Sequence, residues 1–269
     1  MIEQKVKNII LNIREPEKET KGVVLINTGT CIPQKVYWNF ANFLVEHQYI
    51  AITYDYSDAQ NFTSNVSHID WLKDIDAAMQ YIVEQYPSLK KYVVGHSSGG
   101  QLIGFSKHAQ YFDKLFLVAS TNGYWKYMKF PVKYFIWILW YLLVPLSIAL
   151  NGYFNSKMYG VAGGFPRNII MELRRFCLNP NFFISFFKEK NVDFYYDTIT
   201  CPVKSYHLAD DKLISEAGCR FILNMYDKAE KSLETLYAAE YGMKSFGHRG
   251  FFSLAAKQKL WYKFLTELD

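Results

Sequence analysis

Lys90-Lys91-Tyr92-Val93-Val94-Gly95-His96-Ser97-Ser98-Gly99-Gly100-Gln101-Leu102-Ile103-Gly104 sets a short apolar run against a cluster of small residues and then a stretch of helical period. The run 92–94 reads as a buried strand, 100–109 as a helix, and Gly95-His96-Ser97-Ser98-Gly99 between them as a sharp turn of the form G-x-S-x-G. A serine on such a turn is held up by a strained backbone pressed against its neighbours, so glycines on both flanks supply the room it needs. A helix start directly behind Ser97 also favours negative charge there. Without a base nearby, the same segment is only a glycine-rich turn with an incidental serine.

On both sides of this turn, apolar runs bounded by turn formers alternate with stretches of helical period. Strands are expected over 6–13, 22–27, 49–54, 115–119, 203–208 and 233–241 as well as 92–94, and helices over 36–47 and 70–85, where Trp71, Ile75, Met79 and Ile82 recur every three or four residues. Strands separated by helices imply an α/β fold, with a mostly parallel central sheet covered by helices on both faces. The alternation breaks over 121–200, which is aromatic-rich and mostly helical in pattern. A core of 1–120 and 201–269 with a helical insertion between two sheet strands is the simplest account.

Half of the 269 residues are hydrophobic, 18% are aromatic and 20% charged, which excludes disordered, collagen-like and low-complexity chains. The formal charge of +5 comes from 30 basic and 25 acidic residues spread along the whole chain, too mild and dispersed a balance to suggest nucleic acid as a partner. Cys31, Cys177, Cys201 and Cys219 form no CxxC pair and lack the density of a disulfide scaffold, so reduced thiols are expected. The first twenty residues carry charges on both sides of a short apolar run and do not resemble a signal peptide. A cytoplasmic location is the expectation.

Within the insertion, 134–150 is a run of 17 residues without a charge, interrupted by Pro145. A membrane span needs about 20 apolar residues, so a buried or pocket-lining helix is expected instead, with Phe135, Trp137, Trp140 and Leu143 facing an apolar part of a substrate. Just before it, Lys126, Lys129 and Lys133 interleave with aromatics. Peripheral membrane segments have this composition, and so do snorkelling lysines over a packed surface.

A serine hydroxyl needs a base to take its proton. Of six histidines, His96 lies inside the turn, His47, His68 and His108 fall on helices or their starts, and His207 within a strand. His248, between Gly247 and Arg249-Gly250 in a late loop, is the expected base. The strand 203–208 runs into Ala209-Asp210-Asp211, which places either carboxylate past a strand's carboxyl end, on the rim where sites gather in open α/β sheets. A pair of turn-forming aspartates is the plainer alternative. The order serine, acid, histidine is that of an α/β-hydrolase and of neither major serine-protease fold.

Taken with the stretches NTGTCIPQKVYWNFA, GHSSGGQ, VASTNGYW, GYFNSKMYG, ADDKLIS and FGHRGFF, these features resemble the α/β-hydrolase superfamily over roughly residues 20 to 269. The resemblance is closest to its serine aminopeptidase-like and monoglyceride-lipase-like branch, near bacterial α/β-hydrolases of unassigned substrate. It implies Ser97 as nucleophile, Asp211 in preference to Asp210 as acid, and a cap over the site. Ser215 stands where that family usually has a proline, and Asn27-Thr28 where many relatives have histidine-glycine. Resemblance and geometry agree on Ser98, the residue after the nucleophile, as one backbone N–H donor to an oxyanion, and the place of the second falls on Thr30. Cys31 beside it is expected to be a small apolar filler and not a reactive thiol. The implied reaction is hydrolysis of a small-molecule carboxylic ester with an apolar group, with an amide or a catalytically silent binding role as alternatives. Neither a metal-ligand set nor a G-x-G-x-x-G or P-loop pattern occurs, so no metal and no cofactor is expected.

Overall fold

The computed structural model describes residues 1–128, 130–156, 163–181 and 183–268. Its strands are β1 Ile2–Val6, β2 Ile9–Arg14, β3 Gly22–Asn27, β4 Tyr49–Thr53, β5 Lys90–His96, β6 Lys114–Val118, β7 Val203–Leu208 and β8 Lys231–Leu236. They form one sheet in the order β1-β2-β4-β3-β5-β6-β7-β8. β1 and β2 are antiparallel to their neighbours, and every pairing from β4 to β8 is parallel. The mostly parallel sheet expected from the alternation is therefore present.

Two boundaries differ from the sequence reading. The stretch 6–13 is not one strand, because Lys7 takes a left-handed backbone (φ 49°) and reverses the chain, so that Val6 pairs with Ile9 in a hairpin. At the other end, the ladder with β7 closes where Leu208 faces Leu236, and the expected remainder of the strand is a 3₁₀ turn over Ala238–Tyr241.

Alternate residues of β3 feed opposite cores, the reason such a strand reads as a continuous apolar run. Val23 and Leu25 pack with Trp71, Ile75 and Met79 of helix α2, His68–Gln85, on one face of the sheet. Val24 and Ile26 pack with Phe40 and Leu44 of helix α1, Trp38–Glu46, and with Trp261 on the other. Helix α2 starts on a capping box in which Ser67 and Asp70 bond each other's backbone N–H.

Between β6 and β7 the described regular elements are helices, apart from an antiparallel bridge between Phe154 and Phe165. A helix over Val132–Asn151 buries Ile136, Trp140 and Val144 in a small cluster with Met128, Phe154, Ile170 and Cys177. The helix Arg167–Leu178, which gives Ile170 and Cys177 to that cluster, and the helix Phe183–Glu189 also send Phe176, Phe183 and Phe187 into the main core beside Phe105. Glu172 fastens this segment to α2 by accepting from the backbone N–H of His68 at 2.9 Å and pairing with its Nδ1 at 2.7 Å. Lys129 and residues 157–160 of the stretch GYFNSKMYG lie outside the described residues.

The helix 132–151 is not the buried element expected. Its most apolar window is only 22% buried, and among the described residues it is the one helix long and apolar enough to cross a membrane. Phe135 and Trp137 are 55% and 44% exposed. Trp140 is spent on the small cluster and Leu143 is half-buried. The physical reason is the 3.6-residue period: the buried stripe runs through Ile136, Trp140, Val144 and Ser147, which turns Phe135 and Trp137 to the open side.

Candidate active site

β5 ends at His96 and a short helix α3, Ser98–Gln101, starts two residues later. Ser97 bridges them with φ 53° and ψ −121°, a conformation that costs a non-glycine residue on the order of 1–3 kcal/mol and persists only where the surroundings fix it. They do so here: the Ser97 N–H donates to the Val118 carbonyl at 2.9 Å, and the N–H groups of Gly100 and Gln101 both return to the Ser97 carbonyl at 3.1 Å. The glycines are steric requirements. A Cβ on Gly95 would lie 2.4 Å from the Gly100 Cα, and one on Gly99 2.4 Å from the Asn27 carbonyl oxygen.

The long helix expected behind Ser97 stops after one turn. The Gln101 carbonyl accepts from the Tyr196 hydroxyl and the Gly104 carbonyl accepts from the Tyr195 N–H at 2.7 Å, so the groups that would continue an α-helix are already taken. Short 3₁₀ turns follow at Ile103–Phe105 and Lys107–Tyr111.

Asn27, at the end of β3, is fully buried, accepts from the Tyr54 hydroxyl at 2.9 Å and donates to the Gly99 carbonyl at 3.3 Å. It staples the loop 27–31 to the turn at Ser97. In that loop the Thr30 hydroxyl donates to the Ser98 hydroxyl at 2.8 Å, which sets the two residues expected to supply backbone donors side by side. Burial pushes the Cys31 thiol far above its ordinary pKa, so it stays protonated and a poor nucleophile.

On the same rim, past the carboxyl end of the parallel strand β7, His248 Nδ1 lies 2.6 Å from Asp211 Oδ2, with the Asp211 side chain 1% exposed. The other oxygen of Asp211 accepts from the Leu213 N–H at 2.8 Å. An ionised carboxylate in this place makes Nδ1 the protonated nitrogen and leaves Nε2 free to accept a proton. Asp210 does something different. Its two oxygens accept from the backbone N–H groups of Phe246 and Gly247 at 2.8 and 3.2 Å, which holds the loop and not the imidazole.

Two residues the sequence reading left out of the site connect its parts. His96 Nε2 donates to the His248 carbonyl at 2.8 Å, so its Nδ1 must accept, and it does so from the Tyr37 hydroxyl at 2.7 Å. Tyr37 in turn accepts from the Gly29 N–H at 2.8 Å. Burial, and then the neighbouring His248, hold the His96 pKa far below its ordinary value, which keeps the imidazole in this neutral tautomer. One chain of hydrogen bonds thus joins the loop of Thr30, the residue before Ser97 and the loop of His248. No local sequence signal marks it, since its members are 8, 59 and 152 positions apart.

A surface recess of about 840 Å³ borders the histidine loop, walled by Val36, Asn39, Lys244, Phe246, His248 and Arg249 among others. Phe135, Trp137, Trp140 and Leu143 are not among its walls.

No protein-family profile matches the sequence, and no curated protein matches it. Solved structures do. A soluble variant of monoglyceride lipase from Saccharomyces cerevisiae, in complex with a substrate analog, matches with a TM-score of 0.68 at 15% identity, over 100% of this chain and 94% of that one. A highly thermostable carboxyl esterase from Bacillus coagulans, in complex with glycerol, matches with a TM-score of 0.63 at 12% identity, over 99% and 96%. A Butyrivibrio proteoclasticus protein with ferulic acid bound gives 0.60 at 14%, over 100% and 99%. With its sheet order, its strained serine turn and these matches along the whole chain, the protein has the α/β-hydrolase fold.

Proposed function

We propose that the chain is a serine hydrolase of carboxylic esters. The observation that carries this reading is the 2.6 Å pairing of His248 Nδ1 with a nearly inaccessible Asp211, on a loop that His96, the residue before Ser97, holds by its carbonyl. His248 Nε2 takes the proton of the Ser97 hydroxyl as its oxygen attacks the ester carbonyl. The N–H groups of Ser98 and Thr30 receive the charge that develops on the carbonyl oxygen. Collapse of the tetrahedral intermediate breaks the bond to the alcohol, which leaves with the proton from His248. Water then repeats the sequence on the acyl-enzyme, releasing the acid and restoring Ser97. Asp211 fixes the tautomer and stabilises the imidazolium; Asp210 is a positioning residue for the loop.

Lipase and esterase relatives in fold support an ester over an amide. Fold alone does not decide chemistry, so the test is direct. A fluorophosphonate probe is expected to label the wild-type protein and not Ser97→Ala. An unlabelled wild type that is folded by circular dichroism overturns the enzyme reading in favour of a silent binding protein. Given labelling, p-nitrophenyl esters of graded acyl length report the apolar preference, and a faster reaction with the matched anilides makes the enzyme an amidase.

A further inference from the structure

The structure leaves unexplained an apolar surface that neither the triad nor the sheet needs. Phe135, Trp137, Leu142, Leu146 and Leu150 of the helix 132–151, and Phe130 just before it, are between 44% and 78% exposed, around the sides that Ile136, Trp140 and Val144 leave uncovered. Exposed apolar surface of this kind marks an interaction site.

Its charge identifies the partner. The segment 121–200 holds nine basic and four acidic residues, so it carries a net charge equal to the +5 of the whole chain and the rest is neutral. From 114 to 171 there is no acidic residue at all. The basic groups flank the apolar face: Lys126 Nζ lies 5.7 Å from the centre of the Trp125 ring and Lys133 Nζ 5.2 Å from that of Tyr134. Arg167 is exposed at the start of the next described helix. Aromatic rings with lysines beside them, next to long aliphatic side chains, suit the boundary between lipid headgroups and acyl chains. A second copy of the chain would set this basic face against itself, with no acidic residue on it to offset the repulsion.

We propose that this face of the insertion docks the protein on the surface of a bilayer containing anionic lipid, with the helix lying along the interface. The helix lies on the bilayer and does not span it, because its other side is committed. Ile136, Trp140 and Val144 fill the small cluster, Ser147 accepts from the Asn155 N–H at 2.9 Å, and Arg174 Nε donates to the Trp140 carbonyl at 2.5 Å. Docking is independent of the chemistry proposed for Ser97.

Cosedimentation of the Ser97→Ala protein with vesicles tests both the docking and its independence. Binding is expected to vesicles of phosphatidylcholine mixed with phosphatidylglycerol, to weaken with salt, and to be far weaker on phosphatidylcholine alone. Lys126→Gln and Lys133→Gln are each expected to weaken it about fivefold, the equivalent of about 1 kcal/mol per lysine near an anionic surface. Leu142→Ser with Leu146→Ser, both on the open side, is expected to abolish it while circular dichroism and thermal unfolding stay as in the parent. Equal binding to both vesicle types, or none to either, overturns the proposal. So does a dimer in solution that the serine variant dissociates without any vesicle binding by the parent.

Discussion

Asp210 and Asp211 are the same side chain one position apart, and the fold gives them different work. Asp211 is buried at the end of β7 with one oxygen on a backbone N–H and the other on the imidazole, whereas Asp210 is exposed and spans two N–H groups of the histidine loop. Replacing Asp211 by Asn puts an amide against Nδ1 and favours the wrong tautomer, a change that costs about 10⁴ in rate in a well-studied serine triad. Asp211→Asn is therefore expected to slow fluorophosphonate labelling of Ser97 by two to four orders of magnitude, roughly the range that precedent sets. Asp210→Asn keeps one acceptor for the loop and should stay within about tenfold of wild type, since the net worth of one such hydrogen bond is about 1 kcal/mol. Equal slowing in the two variants would sink the division of roles.

At the scale of the elements, the strand–turn–helix at Ser97 depends on close backbone approach. A methyl group on Gly99 collides with carbonyl oxygens of both Asn27 and Thr28 at about 2.5 Å, and neither can move without pulling β3 and its loop. Gly99→Ala is expected to destabilise the protein by about 1–3 kcal/mol, the usual range for overpacking, read as a lower urea midpoint. An unchanged midpoint would show that the turn is looser than its geometry. The glycines, the buried strands and the aspartates after β7 were legible in the sequence because each is a local pattern: small residues where backbones touch, unbroken apolar runs where both faces are covered, polar turn formers where a strand ends. The early end of the helix behind Ser97 was not, since the groups that stop it, Tyr195 and Tyr196, lie more than ninety residues downstream of the carbonyls they take. Nor was the open side of the helix 132–151. Its composition is apolar all round, so its period gives no face, and only the packing of Ile136, Trp140 and Val144 shows which side is covered.

For the whole molecule, stability against pH separates into two windows with different causes. His96 is neutral in the fold, with a pKa far below the 6.5 of the free side chain, chiefly because burial excludes the charged form. As pH falls below about 6.5 the unfolded chain takes up this proton and the folded chain does not, so the unfolded state gains and the melting temperature drops. Glu234 and Glu267 behave as carboxylates held ionised. Their hydrogen bonds to Lys263 and Lys204, and to Lys204 and Lys114, outweigh desolvation and lower their pKa below the ordinary 4.5. What they contribute is present above that pH and lost as it falls through their lowered values. Asp74 runs the other way: burial raises its pKa, so it works against the acid loss by taking up its proton sooner in the fold than in the unfolded chain. The expected curve is a first decline in melting temperature beginning near pH 6.5, followed by a steeper one below about 4.5. His96→Gln loses the imidazole and its titration, so it is expected to be less stable than wild type at pH 8 yet flat between pH 7 and pH 5, where wild type declines. A variant that declines in parallel with wild type over that interval would show that the charge-excluding burial of His96 is not what sets the first window.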